Sequence, residues 1–382
     1  MNHVLVRSAQ LALSAALLLG YPTASMAWTK AYVVEWIEPA NYYDPLEKDA
    51  VSAEAPGRDC PGGVTPDPDY PKKLIDVGHS PESVQKLYDP EVRNAPGFDR
   101  SVFAKRGRKG ENVYTEPWTA IEYKYPQVQG KLAYGFDLDH NPRTGFKGVD
   151  GTPGVDNELY KVSGCIGYYR GRPRDAGGAK YANESMHNGA FTVLLVLQGE
   201  QDPMNDPAAT LSFKSSPDEL IRDAAGGIAR DYSFRVTRLN SASESTVPVA
   251  IKDGVIRTLK DATLVVPTKI GRRGAPTMPL TLQQGQVRLQ IKKDGALEGM
   301  LGGYQAWEPI WRVRANYIVE VVAKLDSPSF WYALKRHADG APDPKTRQMT
   351  AISAAYSVWA VPAFEVSDAP IQAADASVGT KE

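Results

Sequence analysis

Short apolar segments separated by turn residues fill much of the chain, and this pattern most constrains the fold. Residues 191–197 are nearly all apolar, as expected for a strand that is buried on both faces. Asp253-Gly254 and Asp294-Gly295 each follow such a segment, and Asp-Gly suits the positive backbone angles of a two-residue hairpin turn. The pattern predicts a mainly β fold with a β-sandwich-like core of antiparallel strands.

Helices are predicted to be short and few. Proline at a first helical position follows a serine cap in Ser80-Pro81 and Ser216-Pro217. Polar residues recur every four positions after Pro309, and Asp326-Ser327-Pro328 begins another segment, which together predict a C-terminal helical pair. Further strands are expected at 32–37, 119–125, 131–136, 232–236, 247–252, 262–266, 287–291 and 355–361.

Composition divides the chain into unequal parts. Residues 28–116 are rich in proline, glycine and charge, which predicts a long irregular N-terminal segment that wraps around a core formed later. Residues 117–366 are expected to form that β-rich core with the C-terminal helices. Residues 367–382 have little to bury and are expected to be disordered. The formal net charge of −1 gives no field that would attract nucleic acid, so no nucleic-acid partner is expected.

Residues 1–27 have the pattern of an export signal. Arg7 supplies a positive charge, residues 11–19 form an apolar run, and Ser25-Met26-Ala27 suits a cleavage site. An uncleaved anchor is the alternative, but a bilayer span needs about 20 apolar residues, and no later segment resembles a span. The sequence therefore predicts a periplasmic or secreted protein without a membrane span.

The chain has two cysteines, Cys60 and Cys165. In an oxidising compartment they are expected to form a disulfide, although two separate thiols are the alternative. Such a bridge would close a loop of roughly 100 residues, worth about 4 to 5 kcal/mol from chain entropy.

Oxygen-bearing side chains occupy alternate positions in Asp137, Asp139 and Asn141. Calcium takes six to eight oxygen ligands from carboxylates, amides and backbone carbonyls. Arg143 would contribute its backbone carbonyl, two positions further on. The segment therefore predicts a calcium site, with calcium as the expected cofactor.

This opening resembles the Asp-x-Asp-x-Asn start of many calcium loops, over about a dozen residues. The resemblance does not extend to the helix–loop–helix family, whose sixth residue is Gly and whose twelfth is Glu. Pro142 and Gly148 occupy those positions here. The missing late carboxylate is expected from Asp150, Asp156 or Glu158, which the glycine turns between them would fold back.

Two other interpretations of this loop remain open. Its side chains would cap their own backbone amides without a metal, or two of its acids would form a catalytic pair. Three carboxylates this close would repel one another and raise one another's pKa, which favours a bound cation.

Aromatic residues cluster near glycines in the C-terminal third of the chain, among them Tyr304, Trp307 and Trp311. Exposed Trp and Tyr stack on sugars or hold amphipathic molecules. These three residues are therefore predicted to bind a carbohydrate or a small amphipathic ligand. The alternative is that they pack a helix against a sheet.

No nucleophile elbow, zinc helix, phosphate loop or haem-attachment motif occurs in the sequence. The expected function is that of an exported, calcium-stabilised binding or accessory protein. One alternative is a calcium-dependent hydrolase acting on a polysaccharide or ester through carboxylates. The other is a structural envelope component that contacts a protein partner.

Overall fold

A computed structural model of the protein describes residues 27–47, 55–64, 70–99, 103–236, 244–270, 278–315, 320, 323 and 325–367. The predicted export signal lies outside these residues except for Ala27. The predicted disordered tail also lies outside them except for Ser367.

Most of the regular structure in the described ranges is β-strand. The strands are β1 (Trp28–Pro39), β2 (Leu132–Ala133), β3 (Lys147–Gly148), β4 (Thr192–Gly199), β5 (Asp206–Ser216), β6 (Tyr232–Val236), β7 (Ser245–Lys252), β8 (Val255–Thr258), β9 (Ala262–Ile270), β10 (Met278–Ile291), β11 (Leu297–Ala306), β12 (Gly340–Pro342) and β13 (Met349–Ser367). The helices are α1 (Tyr70–Asp76), α2 (Pro81–Tyr88), α3 (Pro90–Asn94), α4 (Glu158–Ser163), α5 (Gly177–His187), α6 (Trp307–Arg314) and α7 (Ser327–His337). The predicted mainly β fold with few helices is confirmed.

Eight strands close into one antiparallel barrel, so the predicted β-sandwich is wrong. Neighbouring strands follow the order β1, β4, β5, β7, β8, β10, β11 and β13, and β13 pairs again with β1. That last pairing runs from Ala31 with Ala363 to Pro39 with Tyr356. Bulges in β1 and β10 help the sheet to curve, because an extra residue bends a strand. A sandwich would instead consist of two separate packed sheets.

The barrel core is mostly apolar and tightly buried. Residues 193–197 in β4 are each at most 1% exposed, which confirms the prediction of a strand buried on both faces. Val249 in β7, Ile256 in β8 and Leu282 in β10 are fully buried in the same cluster. β-branched and leucine side chains suit the pleated surfaces that meet here.

The C-terminal helices pack on each other and on the barrel. α6 and α7 are joined by a hydrogen bond from Trp311 Nε1 to the Ser327 carbonyl at 3.1 Å. α6 begins at Trp307, two residues before the predicted start at Pro309. α7 begins after Asp326, and the carboxylate of this residue caps the helix by accepting a hydrogen bond from the Ser329 amide at 2.8 Å. No helix in the described ranges is long and apolar enough to cross a membrane.

The helix predicted after Ser216 is wrong. Ser216 Oγ does accept from the Asp218 amide at 3.1 Å, as a cap would. The Asp218 carboxylate, however, accepts from the backbone amide and side chain of Arg235. This contact ties the segment to β6 as a loop.

The strand predicted at 119–125 is also wrong, and the one predicted at 131–136 is reduced to β2. Pro117–Thr119 forms one turn of 3-10 helix. The Tyr123 amide then donates to Ser329 Oγ at 2.8 Å, and the Tyr125 ring lies 5.9 Å from that of Phe330. The segment therefore runs along α7 instead of pairing in a sheet.

A buried ion network joins the N-terminal region to the C-terminal helices. Lys105 is paired with both Glu320 and Asp326, and all three side chains are at most 4% exposed. Tyr114 donates its hydroxyl to Glu320 as well. Residues far apart in the sequence are thus fixed to one another at a single buried point.

The predicted disulfide between Cys60 and Cys165 is present. It lies in a small second core with Val128, Val155 and Tyr160. The bridge and this core attach the N-terminal region to the segment that carries the Asp-rich loop.

Candidate metal centre and ligand cavity

Residues 136–156 fold back on themselves to bring three carboxylates together. Phe136 pairs with Asp156, and Phe146 pairs with Val155, as isolated antiparallel bridges. The return of the chain places Asp156 beside Asp137 and Asp139. One oxygen from each of these three carboxylates lies within 4.8 Å of the others, so they could hold a metal ion.

Backbone amides orient the three carboxylates. Asp156 Oδ2 accepts from the Leu138 amide at 2.8 Å and from the Asp139 amide at 3.1 Å. The Asn141 amide donates to Asp137 Oδ1 at 3.0 Å and to Asp139 Oδ1 at 2.8 Å. The loop therefore caps its own amides, as one alternative predicted, and at the same time gathers the carboxylates at one place.

Two glycines allow this return of the chain. Gly145 has a φ of 67°, and a Cβ there would lie 2.4 Å from the Val155 carbonyl oxygen. Gly154 has a φ of 72°, and a Cβ there would lie 2.7 Å from the Pro142 Cα. Only glycine fits both the backbone angle and the space.

The carboxylates repel one another in a partly buried place. Burial raises the pKa of Asp156 to about 6, although the amides of Leu138 and Asp139 oppose this shift and the charges of Asp139 and Asp137 add to it. A divalent cation would reverse the balance, because it favours the ionised form of every carboxylate around it.

Two titratable groups beside this loop also have raised pKa values. Tyr304 in β11 packs with Phe136 and Leu138, and burial together with the charges of Asp339 and Asp156 raises its pKa. Burial also raises the pKa of Asp339 to about 6. The metal candidate therefore lies directly on the barrel.

The remaining predicted ligands lie around the cluster. The Asn141 side-chain oxygen accepts a hydrogen bond from the Arg143 amide at 3.2 Å. This contact stabilises the turn of the loop at these two residues. Asp150 instead pairs with Arg288 at 2.7 Å, and Glu158 contacts His337 at 2.6 Å. Of the late carboxylates considered, Asp156 is the one that the structure brings to Asp137 and Asp139.

The three predicted aromatic ligand-binding residues are distributed over β11 and α6. Tyr304 is 7% exposed and Trp311 is 1% exposed, so both contribute to packing. Trp307 is partly buried, with its ring 5.8 Å from that of Trp331. None of the three residues lines the cavity at the end of the barrel.

A cavity of about 410 Å³ lies at one end of the barrel, beneath α5 and α6. Its walls come from the end of β1, the start of β10, the end of β11 and the middle of β13. Apolar surface is provided by Ile37, Leu280, Ile310 and Val313. Sequence patterns gave no signal for it, because its walls come from segments far apart in the chain.

Two polar residues in the cavity wall each have one buried side-chain atom without a hydrogen-bond partner among the described residues. These atoms are Asn41 Oδ1 and Arg314 Nη1. The Asn41 amide group donates to the Tyr169 carbonyl at 2.9 Å, and the Arg314 guanidinium lies 4.3 Å from the centre of the Tyr169 ring. Buried polar atoms are almost always paired, so each exception requires an explanation.

Two places in the described structure could therefore hold small partners. The acidic cluster has the hard oxygen donors that calcium or magnesium prefers, and the cavity has a mainly apolar wall interrupted by polar side chains, as small-molecule sites do. Neither protein-family models nor curated proteins nor solved structures give a match to this chain.

Proposed function

We propose that this is an exported binding protein that holds a small, largely apolar molecule in the barrel-end cavity, with calcium as a structural ion in the 137–156 loop. The observation that carries the proposal is the cavity of about 410 Å³, whose lining includes Asn41 and Arg314, each with a buried side-chain atom that has no hydrogen-bond partner among the described residues. Ligand cavities typically measure about 300 to 1,000 Å³ and occur in the mouths of β-barrels. Export is supported by the disulfide, since such bonds persist in oxidising compartments.

The mainly apolar wall favours an amphipathic molecule over a carbohydrate. Sugars need a dense set of hydrogen-bonding partners, because every buried hydroxyl without one is costly. Most of the lining surface is apolar, with Ile37, Ile310 and Val313 among its contributors, although polar side chains such as Gln305 and Ser185 also reach it.

Binding of the neutral dye Nile red to the mature protein, followed by fluorescence, tests the cavity. Ala182 lines the cavity from α5 and is half-buried, so Ala182→Trp should fill it and weaken dye binding at least about tenfold. Glu184→Trp, at an exposed position of the same helix, is the matched control and should keep the affinity of the unmodified protein. Equal binding by both variants, or no binding at all, would refute the cavity as a ligand site.

Calcium is supported by the oxygen-only donor set and by the raised pKa of Asp156, which burial causes and the charges of Asp139 and Asp137 increase. A ligand that binds only the folded state stabilises it, by about 2.7 kcal/mol at a hundredfold excess over Kd. Calcium added after chelation should therefore raise the melting temperature, while magnesium should have a smaller effect.

Paired substitutions distinguish this cluster from nonspecific ion binding. Asp137→Asn combined with Asp139→Asn should abolish the calcium-dependent rise in melting temperature. Asp150→Asn removes a nearby acid that pairs with Arg288 instead, and this control should keep the rise. The calcium proposal fails if the double variant responds to calcium as the unmodified protein does.

A calcium-dependent hydrolase is the second candidate. The raised pKa of Asp156 and of Asp339, each about 6, favours it, because a general acid must keep its proton near the working pH. Turnover of polysaccharide or ester substrates that Asp339→Asn abolishes would support the hydrolase. Unchanged turnover in that variant would count against it.

A further inference from the structure

We infer that the molecule held in the barrel-end cavity is an amphipathic carboxylic acid, whose carboxylate pairs with Arg314 and whose neighbouring hydroxyl donates to Asn41. This inference rests on the proposed function and names the chemical class of its ligand. It is carried by the position, charge and unpaired atoms of these two residues.

Arg314 lacks an anionic partner in the described part of the chain. It is the last residue of α6, and its Nη1 atom is buried without a hydrogen bond. Its guanidinium lies over the ring of Tyr169 at 4.3 Å and near that of Phe330 at 5.8 Å. Aromatic faces attract the cation but do not replace hydrogen-bond acceptors. A guanidinium stays protonated in proteins, so burial cannot be relieved by losing the charge.

The acid that lines the same cavity is already occupied. Glu38 accepts hydrogen bonds from Trp36 Nε1 at 2.8 Å and from the Arg174 amide at 3.0 Å. Burial raises the pKa of Glu38, against the opposing effect of those bonds. Its carboxylate is therefore directed to β1 and the Arg174 loop, and Arg314 remains available for an incoming anion.

Asn41 defines the second polar contact. Its Nδ2 group donates to the Tyr169 carbonyl at 2.9 Å, which fixes the amide orientation and leaves Oδ1 as a free acceptor. The complementary group on a ligand must be a donor. Tyr169 contacts Asn41 through its carbonyl and Arg314 through its ring, so the two residues flank the same tyrosine in the cavity lining.

The apolar wall of the cavity indicates that the remainder of the ligand is apolar. Ile37, Leu280, Ile310 and Val313 line the cavity, and each suits a hydrocarbon chain or ring in contact with it. An inorganic anion would satisfy Arg314 but would leave this surface uncovered. A carboxylate on an apolar body satisfies both.

Isothermal titration of the mature protein with decanoate, α-hydroxydecanoate and decanol at neutral pH tests the inference. A charge-assisted hydrogen bond in a buried site should make decanoate bind at least about tenfold more tightly than decanol. The α-hydroxy acid should bind a few-fold more tightly again, and Asn41→Leu should remove this additional gain. Equal affinity of the two acids in the unmodified protein would overturn the contact to Asn41.

Variants of Arg314 test whether this residue supplies the positive charge that pairs with the carboxylate of the ligand. Arg314→Met should lower the affinity for decanoate to that for decanol, whereas Arg312→Met, an exposed arginine paired with Glu308 in the same helix, should keep the preference. Arg314→Lys retains a cation without the planar fork and should show a reduced preference, so it serves if the Met variant fails to fold. A preference that persists in Arg314→Met would overturn the role of Arg314.

These experiments distinguish failure of the carboxylic acid as the ligand from failure of the proposed binding function. Equal binding of decanoate and decanol to the unmodified protein would overturn the anionic ligand while leaving an apolar-ligand protein. Failure of all three probes together with Nile red would overturn both.

Discussion

Replacing Lys105 by Met should be among the most destabilising single changes in the protein. Lys105 is the cation between Glu320 and Asp326, and the three side chains are at most 4% exposed. Burial alone would lower the pKa of Lys105, but the charges of the two acids outweigh burial and raise it. The network therefore depends on this one positive charge.

The size of the stability loss follows from the two charged groups that the substitution leaves unpaired. Methionine keeps most of the volume of the lysine stem but leaves two carboxylates without their cation. Removing one partner of a buried ion pair costs about 3 to 5 kcal/mol, because the remaining charge stays desolvated. Burial already raises the pKa of Glu320, so protonation of the acids should recover part of the loss below neutral pH.

Urea unfolding monitored by tryptophan fluorescence measures this loss. Lys109→Met, an exposed lysine in the same segment, should change stability by less than about 0.5 kcal/mol. Adding Glu320→Gln to Lys105→Met should restore part of the stability, since one unpaired charge is then removed. If Lys105→Met lowers the free energy of unfolding by less than about 1 kcal/mol, or if this decrease is not smaller at lower pH, Lys105 does not hold the network together.

Three further predictions concern the disulfide, the loop and a buried acid. Replacing Cys60 and Cys165 by Ala should lower stability by about 4 to 5 kcal/mol, because their separation of 105 residues makes the closed loop long; an unchanged unfolding midpoint would contradict this. Gly145→Ala should cost about 1 to 3 kcal/mol through its positive φ and its close contacts, whereas Gly151→Ala, also at positive φ but with open space, should cost less in the same melts. Asp339 has its pKa raised to about 6 from 3.8, so its contribution is fully present below about pH 4 and is lost as pH rises through about 6. Asp339→Asn should therefore flatten the fall in melting temperature over that range, and an unaltered pH profile would argue against it.

The strands were largely predictable from the sequence, but their closure was not. Alternation and Asp-Gly turns mark the hairpins, since they depend on near neighbours. The pairing of β1 with β13 joins distant parts of the chain, and sandwiches and barrels share the same alternation. β5 received no prediction, and β11 was expected only as the segment after the Asp294-Gly295 turn, with its glycines interpreted as a place for a ligand. A Cβ on Gly302 would lie 2.2 Å from the Phe136 ring, so this glycine makes room for a packed side chain.

The acidic cluster was partly predictable and the cavity was not. Asp137 and Asp139 follow from local spacing, whereas choosing Asp156 over Asp150 required the bridge that returns the chain to Phe136. Asn41 and Arg314 belong to no motif, and their unpaired atoms become visible only when their surroundings are known.

Closure of the barrel by its first and last long strands has a kinetic consequence. β1 pairs with β4 on one side and with β13 on the other, so the ring cannot be completed until β13 has emerged. Pairings this distant in sequence form slowly, because chain entropy must be lost before the contact is gained. During synthesis, β1 therefore has an unsatisfied edge for longer than any other strand of the ring, and this edge is where a chaperone would be most useful.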